Sequence, residues 1–210
     1  MKQDIFIIHG GSAFKQYEDY ISHLKNKEVS RERLKRQDWK MELDTTLDGS
    51  FEIFLPKMPN PQNARYSEWK IWFERLIPLI NENVILVGHS LGGIFLAKYL
   101  SEELFPKKIR ATLLIAAPFN TAQDTFHTPE EPSLADFILP DQLNKLTEQG
   151  GTIFLFQSKD DPVVPYDNVE KYQRALPGAQ SVIFDDKGHF NESDFPMLVD
   201  ILKKIVSTAT

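Results

Sequence analysis

Six short apolar runs set the frame for this chain: Ile5–Ile8, Phe51–Leu55, Val84–Val87, Thr112–Ala116, Ile153–Phe156 and Val182–Phe184. They are rich in Ile, Val, Leu and Phe and show little polar alternation, as strands buried on both faces do. Such strands need helices above and below them, and stretches of helical spacing lie between the runs. Trp69, Trp72, Phe73, Leu76 and Ile80 fall on one helix face, with Ser67 placed to cap it. Phe195, Leu198, Val199, Leu202, Ile205 and Val206 form the stripe of a final helix. Strand alternating with helix predicts an α/β fold: a three-layer αβα sandwich with a mostly parallel sheet of about six strands and right-handed crossovers. Phe51–Leu55, Trp69 and Trp72 are expected in the core.

At 210 residues, with no repeat or linker, the chain reads as one domain over 1–210. Its 24 Lys and Arg stand against 30 Asp and Glu, a net charge of −6 that disfavours nucleic acid as a partner. There is no cysteine, which excludes a disulfide scaffold, thiolate metal ligands and a cysteine nucleophile. No run approaches the ~20 apolar residues of a membrane-spanning helix, and Ile5–Ile8 is too short for a signal-peptide core. A cytoplasmic protein with no membrane partner is expected.

Two segments exceed a minimal βαβ rhythm. Residues 25–42 carry charges of both signs, including Arg31, Arg33, Lys35 and Arg36, and read as a solvated helical face or, alternatively, a small basic docking surface. Residues 119–140 include Asp124, Pro129, Glu130, Glu131, Pro132 and Asp136, and read as a small lid-like excursion before a helix at Asp141–Gln149.

The chemistry centres on Gly88-His89-Ser90-Leu91-Gly92, which follows Val84–Val87 and runs into Gly93-Ile94-Phe95-Leu96-Ala97. This is the strand–turn–helix setting of a nucleophile elbow. A sharp turn forces its central serine into a strained conformation, and side chains in place of the flanking glycines would collide. The turn also aims free N–H groups of the helix N-terminus at the reacting centre. A serine hydroxyl needs a base held by a third group. Of the five histidines, His23 lies in a charged helix and His127 in the excursion. His89 is locked in the turn with its side chain directed away, and His9 ends the first strand. His189, between the last strand and the last helix, is the candidate base, at the sheet edge where binding groups collect. The acid is expected between serine and histidine in sequence, after the fifth strand, where Asp161 precedes Pro162 and Asp160 is the alternative. An oxyanion hole needs two N–H donors. Leu91 supplies one, and the loop His9-Gly10-Gly11-Ser12 supplies the other, from Gly11 or else Gly10 or Ser12.

These blocks resemble the α/β-hydrolase superfamily, and more closely the compact serine hydrolases of the retinoblastoma-binding protein 9 type. The resemblance spans nearly the whole chain. It rests on Met58-Pro59-Asn60-Pro61 with Ala64-Arg65 and Trp69, on Gly88-His89-Ser90-Leu91-Gly92, on Asp160-Asp161-Pro162 with Pro165, and on Gly188-His189-Phe190. It implies that the acid is the aspartate before proline, Asp161, that the sheet lacks the first hairpin of larger relatives, and that no cofactor or metal takes part.

The expected activity is hydrolysis of carboxylic esters of small or short-acyl substrates through an acyl-enzyme on Ser90, faster as His189 loses its proton. Phe126, Phe137, Ile138 and Leu139 are the excursion's main apolar residues, unlike the large apolar cap of a lipase. A thioesterase or peptidase would use the same triad. From a different class comes the alternative of a binding module on the hydrolase scaffold, disfavoured by the intact Ser90, Asp161 and His189.

Overall fold

The computed structural model describes residues 2–31, 35, 38–47, 49–121 and 134–207. Its six strands are β1 (Gln3–Ile8), β2 (Phe51–Phe54), β3 (Val84–His89), β4 (Ile109–Ile115), β5 (Thr152–Ser158) and β6 (Gln180–Phe184). Every pairing is parallel, in the order β2-β1-β3-β4-β5-β6. Seven α-helices accompany them among the described residues: α1 (Tyr17–Asn26), α2 (Trp39–Thr46), α3 (Tyr66–Leu76), α4 (Leu91–Glu102), α5 (Asn144–Gln149), α6 (Asp167–Ala175) and α7 (Pro196–Ser207).

The absence of polar alternation is explained by two cores. Phe6 and Ile8 of β1, Leu86 of β3 and Leu155 of β5 face Trp69, Phe73, Phe95, Leu146 and Tyr172 from α3, α4, α5 and α6. Their strand neighbours Ile5, Ile7, Ile85, Val87 and Phe156 face Trp39 and Leu43 of α2 and Leu198 and Leu202 of α7. Period two places successive residues on opposite faces, and here both faces are covered. The pattern weakens at the sheet's edge, where Gln180 and Ser181 of β6 are exposed and Val182 to Phe184 only half-buried.

The strand order reverses at β1, since the chain goes to β2 on one side and then returns to β3 on the other. Ligands of open α/β sheets bind at such a switch, beyond the carboxyl ends of the strands. The loops leaving β1 and β3, at His9–Ser12 and Ser90, meet there.

Several local expectations are corrected. Ser67 does not cap α3; the helix begins at Tyr66, and the Asp136 carboxylate accepts the Tyr66 N–H at 2.8 Å and the Ser67 N–H at 3.3 Å. Trp72 is 39% exposed and Leu55 38%, so neither is a core residue, whereas Trp69 is fully buried. Residues 25–42 are not one solvated helical face: α1 ends at Asn26, and α2 opens with the buried Trp39 and Lys40 because its apolar side joins the second core, where Trp39 packs edge-on to Phe195. Arg33 and Arg36 lie outside the described residues. So do 122–133, with Asp124, Phe126, His127, Pro129, Glu130, Glu131 and Pro132. The later part of the excursion is tied down, with Phe137 and Leu139 buried in the core, and α5 starts at Asn144 rather than Asp141.

Asp136→Ala should therefore lose about 1 kcal/mol of stability by urea unfolding, the usual cost of a lost helix cap. Ser67→Ala should lose much less, and equal losses would contradict the assignment of the cap.

Candidate active site

Helix α4 can start where it does only because its first turn lacks side chains against β1. A Cβ on Gly92 would stand 2.2 Å from the Ile8 carbonyl oxygen, and one on Gly88 2.4 Å from the Gly92 carbonyl oxygen. That close approach bends the chain at Ser90 to φ +56°, ψ −123°, a conformation costing a non-glycine residue about 1–3 kcal/mol. The strain is held by the Ser90 N–H on Ile115 O at 2.8 Å and the Gly93 N–H on Ser90 O at 2.8 Å.

Ser90, His189 and Asp161 are brought together. His189 Nε2 lies 2.9 Å from Ser90 Oγ, and its Nδ1 lies 2.9 and 3.1 Å from the two Asp161 carboxylate oxygens. A carboxylate only accepts, so Nδ1 carries hydrogen and donates to Asp161, leaving Nε2 to accept from the Ser90 hydroxyl. The Asp161 side chain is fully enclosed. Its oxygens also accept from Val163 N–H at 2.8 Å, Val164 N–H at 3.0 Å and Gln157 Nε2 at 3.3 Å. Asp160, the alternative acid, does not meet the imidazole. Its Oδ1 accepts from Ser158 Oγ at 2.5 Å and from Gly188 N–H at 2.8 Å. The Ser158 hydroxyl, then the Gly188 N–H, hold the Asp160 carboxyl below its ordinary value.

The other histidines have separate places. His89 turns away from Ser90, but its Nε2 donates to the His189 carbonyl at 2.9 Å and its ring lies 5.1 Å from the His189 ring. His9 Nε2 accepts from Met58 N–H at 2.9 Å, so its Nδ1 donates to Gly10 O at 2.7 Å. His23 packs against Phe14, and burial, then Lys27, push its imidazole below the usual value.

The loop after β1 is braced by residues 58–69. Ser12 N–H donates to Pro61 O and Ala64 N–H to Ser12 O, both at 2.8 Å. Trp69 Nε1 donates to Pro59 O at 2.7 Å, and the Arg65 guanidinium to Phe14 O. The Ser12 N–H is thus engaged and unavailable for an oxyanion. No hydrogen bond among the described residues uses the Gly10 or Gly11 N–H. A Cβ on Gly10 would stand 3.0 Å from Ser90 Cβ, so this loop lies directly against the candidate nucleophile.

Gln157, Trp39 and His89 are the residues that sequence reasoning missed. Trp39 Nε1 donates to Phe190 O at 3.0 Å and its N–H to Glu192 O at 3.0 Å. Gln157 carried a usable signal, since a glutamine inside the apolar run Thr152–Ser158 must be satisfied where it is buried. Among the described residues, no group of three His, Asp or Glu side chains could hold a metal ion. A groove of about 750 Å³ between α7 and the amino ends of β4 to β6 is lined by Arg110, Phe154, Val182, Ile201 and Ile205, away from Ser90.

A family model described as "Serine hydrolase" matches residues 5–198. The chain is 28% identical over 159 residues to the serine hydrolase RBBP9 of Rattus norvegicus, covering 76% of this chain and 80% of that protein. Among solved structures, the ydeN gene product of Bacillus subtilis superposes with a TM-score of 0.69 at 19% identity, covering 98% of this chain and all of the other. The meta-cleavage product hydrolase of Pseudomonas fluorescens gives 0.67 at 13% identity, covering 99% and 92%. At these identities the structural matches speak for the α/β-hydrolase fold alone.

Gly11→Ala tests the brace, because its Cβ would stand 2.5 Å from the Pro61 carbonyl that already holds Ser12. Overpacking of this kind costs about 1–3 kcal/mol. The thermal midpoint should fall by several degrees, while Gly49→Ala, where a Cβ meets nothing within 4 Å, should leave it nearly unchanged.

Proposed function

The chain belongs to the serine hydrolase family, and on that premise we propose that it cleaves carboxylic esters of small or short-acyl substrates through an acyl-enzyme on Ser90. The observation that carries the reading is the unbroken chain from Ser90 Oγ through both His189 nitrogens to the enclosed Asp161 carboxylate.

In the proposed mechanism Ser90 Oγ attacks the ester carbonyl carbon as its proton passes to His189 Nε2. Asp161 keeps the imidazole in the tautomer that can accept that proton and stabilises the imidazolium that forms. The oxyanion receives N–H bonds from Leu91, at the amino end of α4, and from Gly11. Collapse expels the alkoxide, which takes the proton back from Nε2 and leaves as the alcohol. Water then attacks the acyl-enzyme with His189 again as base, releasing the acid and restoring the Ser90 hydroxyl. Preference for a small substrate is supported by the described end of the excursion, residues 134–140. Its Asp136 caps α3 while Phe137 and Leu139 fill the core, so none of these builds an apolar cap over Ser90.

A fluorophosphonate probe should label the wild type on Ser90, and Ser90→Ala should abolish labelling. In a panel of esters graded by acyl length, with thioester and peptide substrates beside them, short-acyl esters should turn over fastest. Ser90→Ala or His189→Ala should lower kcat by about 10⁴-fold or more. Equal labelling of Ser90→Ala would sink the assignment.

A further inference from the structure

Two adjacent aspartates leave β5, and they bind two different parts of one loop. Asp161 takes the His189 ring, while Asp160 takes the peptide N–H of Gly188, immediately before that ring's own residue. We propose that Asp160 is a positioning residue, which with Ser158 fixes the backbone at Lys187–Gly188 so that His189 Nε2 stays on Ser90 Oγ. The proposal rests on the triad reading given above.

The loop needs such fixing because its backbone is left-handed on both sides of the histidine, and at Phe190 that is strained. Gly188 has φ +49° and Phe190 also φ +49°. A Cβ on Gly188 would meet nothing within 4 Å, so glycine serves the backbone conformation there, not a close approach. For Phe190 that conformation is costly and persists only where surroundings over-determine it. On the core side the His189 carbonyl takes the His89 Nε2–H, and the Phe190 carbonyl takes the Trp39 Nε1–H. On the solvent side, consecutive N–H groups are held instead. The Lys187 N–H donates to Ser158 Oγ at 2.9 Å, and the Gly188 N–H donates to Asp160 Oδ1. Ser158 is fully buried and uses its hydroxyl twice, accepting from Lys187 and donating to Asp160. The hydroxyl and the carboxylate thus form one unit joining the β5 loop to the β6 loop.

The charge state suits the role. Asp160 is a carboxylate at neutral pH, so the bonds it accepts are charge-assisted, and in turn they hold its carboxyl below the ordinary range. The nearby lysines have other partners: Lys187 Nζ lies 2.9 Å from Glu192 and Lys159 Nζ 2.7 Å from Asp185. Asp160 is exposed, so its removal leaves no cavity in the core.

The test uses the full chain, with fluorophosphonate labelling rates at Ser90, steady-state ester kinetics and thermal melting on the same samples. Asp160→Ala should lower kcat and the labelling rate constant about tenfold, the scale of effect expected when a reacting group is held less well. KM should stay within about twofold and the thermal midpoint within about two degrees, as for a surface residue outside the substrate's reach. Asp160→Asn should recover most of the loss, because its amide oxygen still accepts the Gly188 N–H. Adding Ser158→Ala to Asp160→Ala should cost little more than the worse single change, as for two members of one unit.

An unchanged rate in Asp160→Ala would overturn the proposal. So would an effect confined to KM, or a loss that tracks the melting temperature and is not rescued by Asn. If Asp160→Ala were as inactive as Ser90→Ala while Asp161→Ala stayed active, Asp160 would be the triad acid and the positioning role would fall. Failure of the wild type to label is a separate result, since it removes the triad reading itself and this proposal with it.

Discussion

The approach of α4 to the carboxyl ends of β1 and β3 is the constraint on which the site depends. With the Gly92 Cβ position 2.2 Å from the Ile8 carbonyl oxygen, no other residue fits there without moving backbone. That contact turns the chain at Ser90, sets the serine above the sheet and points the amino end of a nearly wholly buried helix at it. A helix whose first turn stood further from β1 would relax Ser90 and draw its N–H groups back from the reacting centre. The same contact explains why the glycine loop after β1 lies beside the serine: its end is set by the strand against which α4 is pressed.

Two histidines outside the triad carry their protons in fixed places, and each braces a different wall of the cleft. His9 accepts from Met58 N–H and donates to Gly10 O, tying the glycine loop to residues 58–61. His89 donates to the carbonyl of His189. In both cases one ring nitrogen meets a group of a single polarity, a backbone N–H for His9 and a backbone carbonyl for His89, and that settles where its proton sits. Both lie next to a glycine in the strand-end motifs, so the residues that aim the loops are adjacent in sequence to those that let backbones approach.

Much of this was legible before any coordinates. The non-alternating runs and the amphipathic stretches between them are backbone-level signals, and they led to the six-stranded sheet. Ser90, Asp161 and His189 each follow a strand, so a parallel sheet delivers them to one edge almost regardless of detail. What the sequence hid depends on partners distant in the chain. Asp136 caps α3 from 70 residues away, where local reasoning chose Ser67. Trp39 sits among charged neighbours whose pattern hides that one side of its helix joins the core beside Phe195. Trp72 belongs to an apolar stripe, but α3 meets the sheet along a narrower arc through Trp69 and Phe73 and leaves it half in solvent. Asp161 is favoured over its neighbour Asp160 by the proline that follows it, but nothing in the sequence shows that Asp160 holds the Gly188 N–H instead.

The distribution of strained backbone suggests how the fold tolerates its site. Ser90, Ala116, Gly188 and Phe190 all have positive φ, and all follow the carboxyl ends of strands. The sheet's ladder carries on into the first two of these turns: the Ser90 N–H reaches Ile115 O at 2.8 Å and the Ala116 N–H reaches Phe156 O at 2.9 Å. Each strained residue there is held by the next strand across, as if it were one more rung. The ladder does not extend to the turn after β6, because β6 is the edge strand and has no neighbour beyond it to accept such a bond. There one main-chain bond closes the turn, Phe190 N–H on Lys187 O at 3.0 Å, and side chains of Ser158, Asp160, His89 and Trp39 hold the rest of the backbone. Placing the histidine on the edge strand's loop thus explains why its backbone needs a cage of side chains, whereas the serine's backbone is held by the main chain of the next strand.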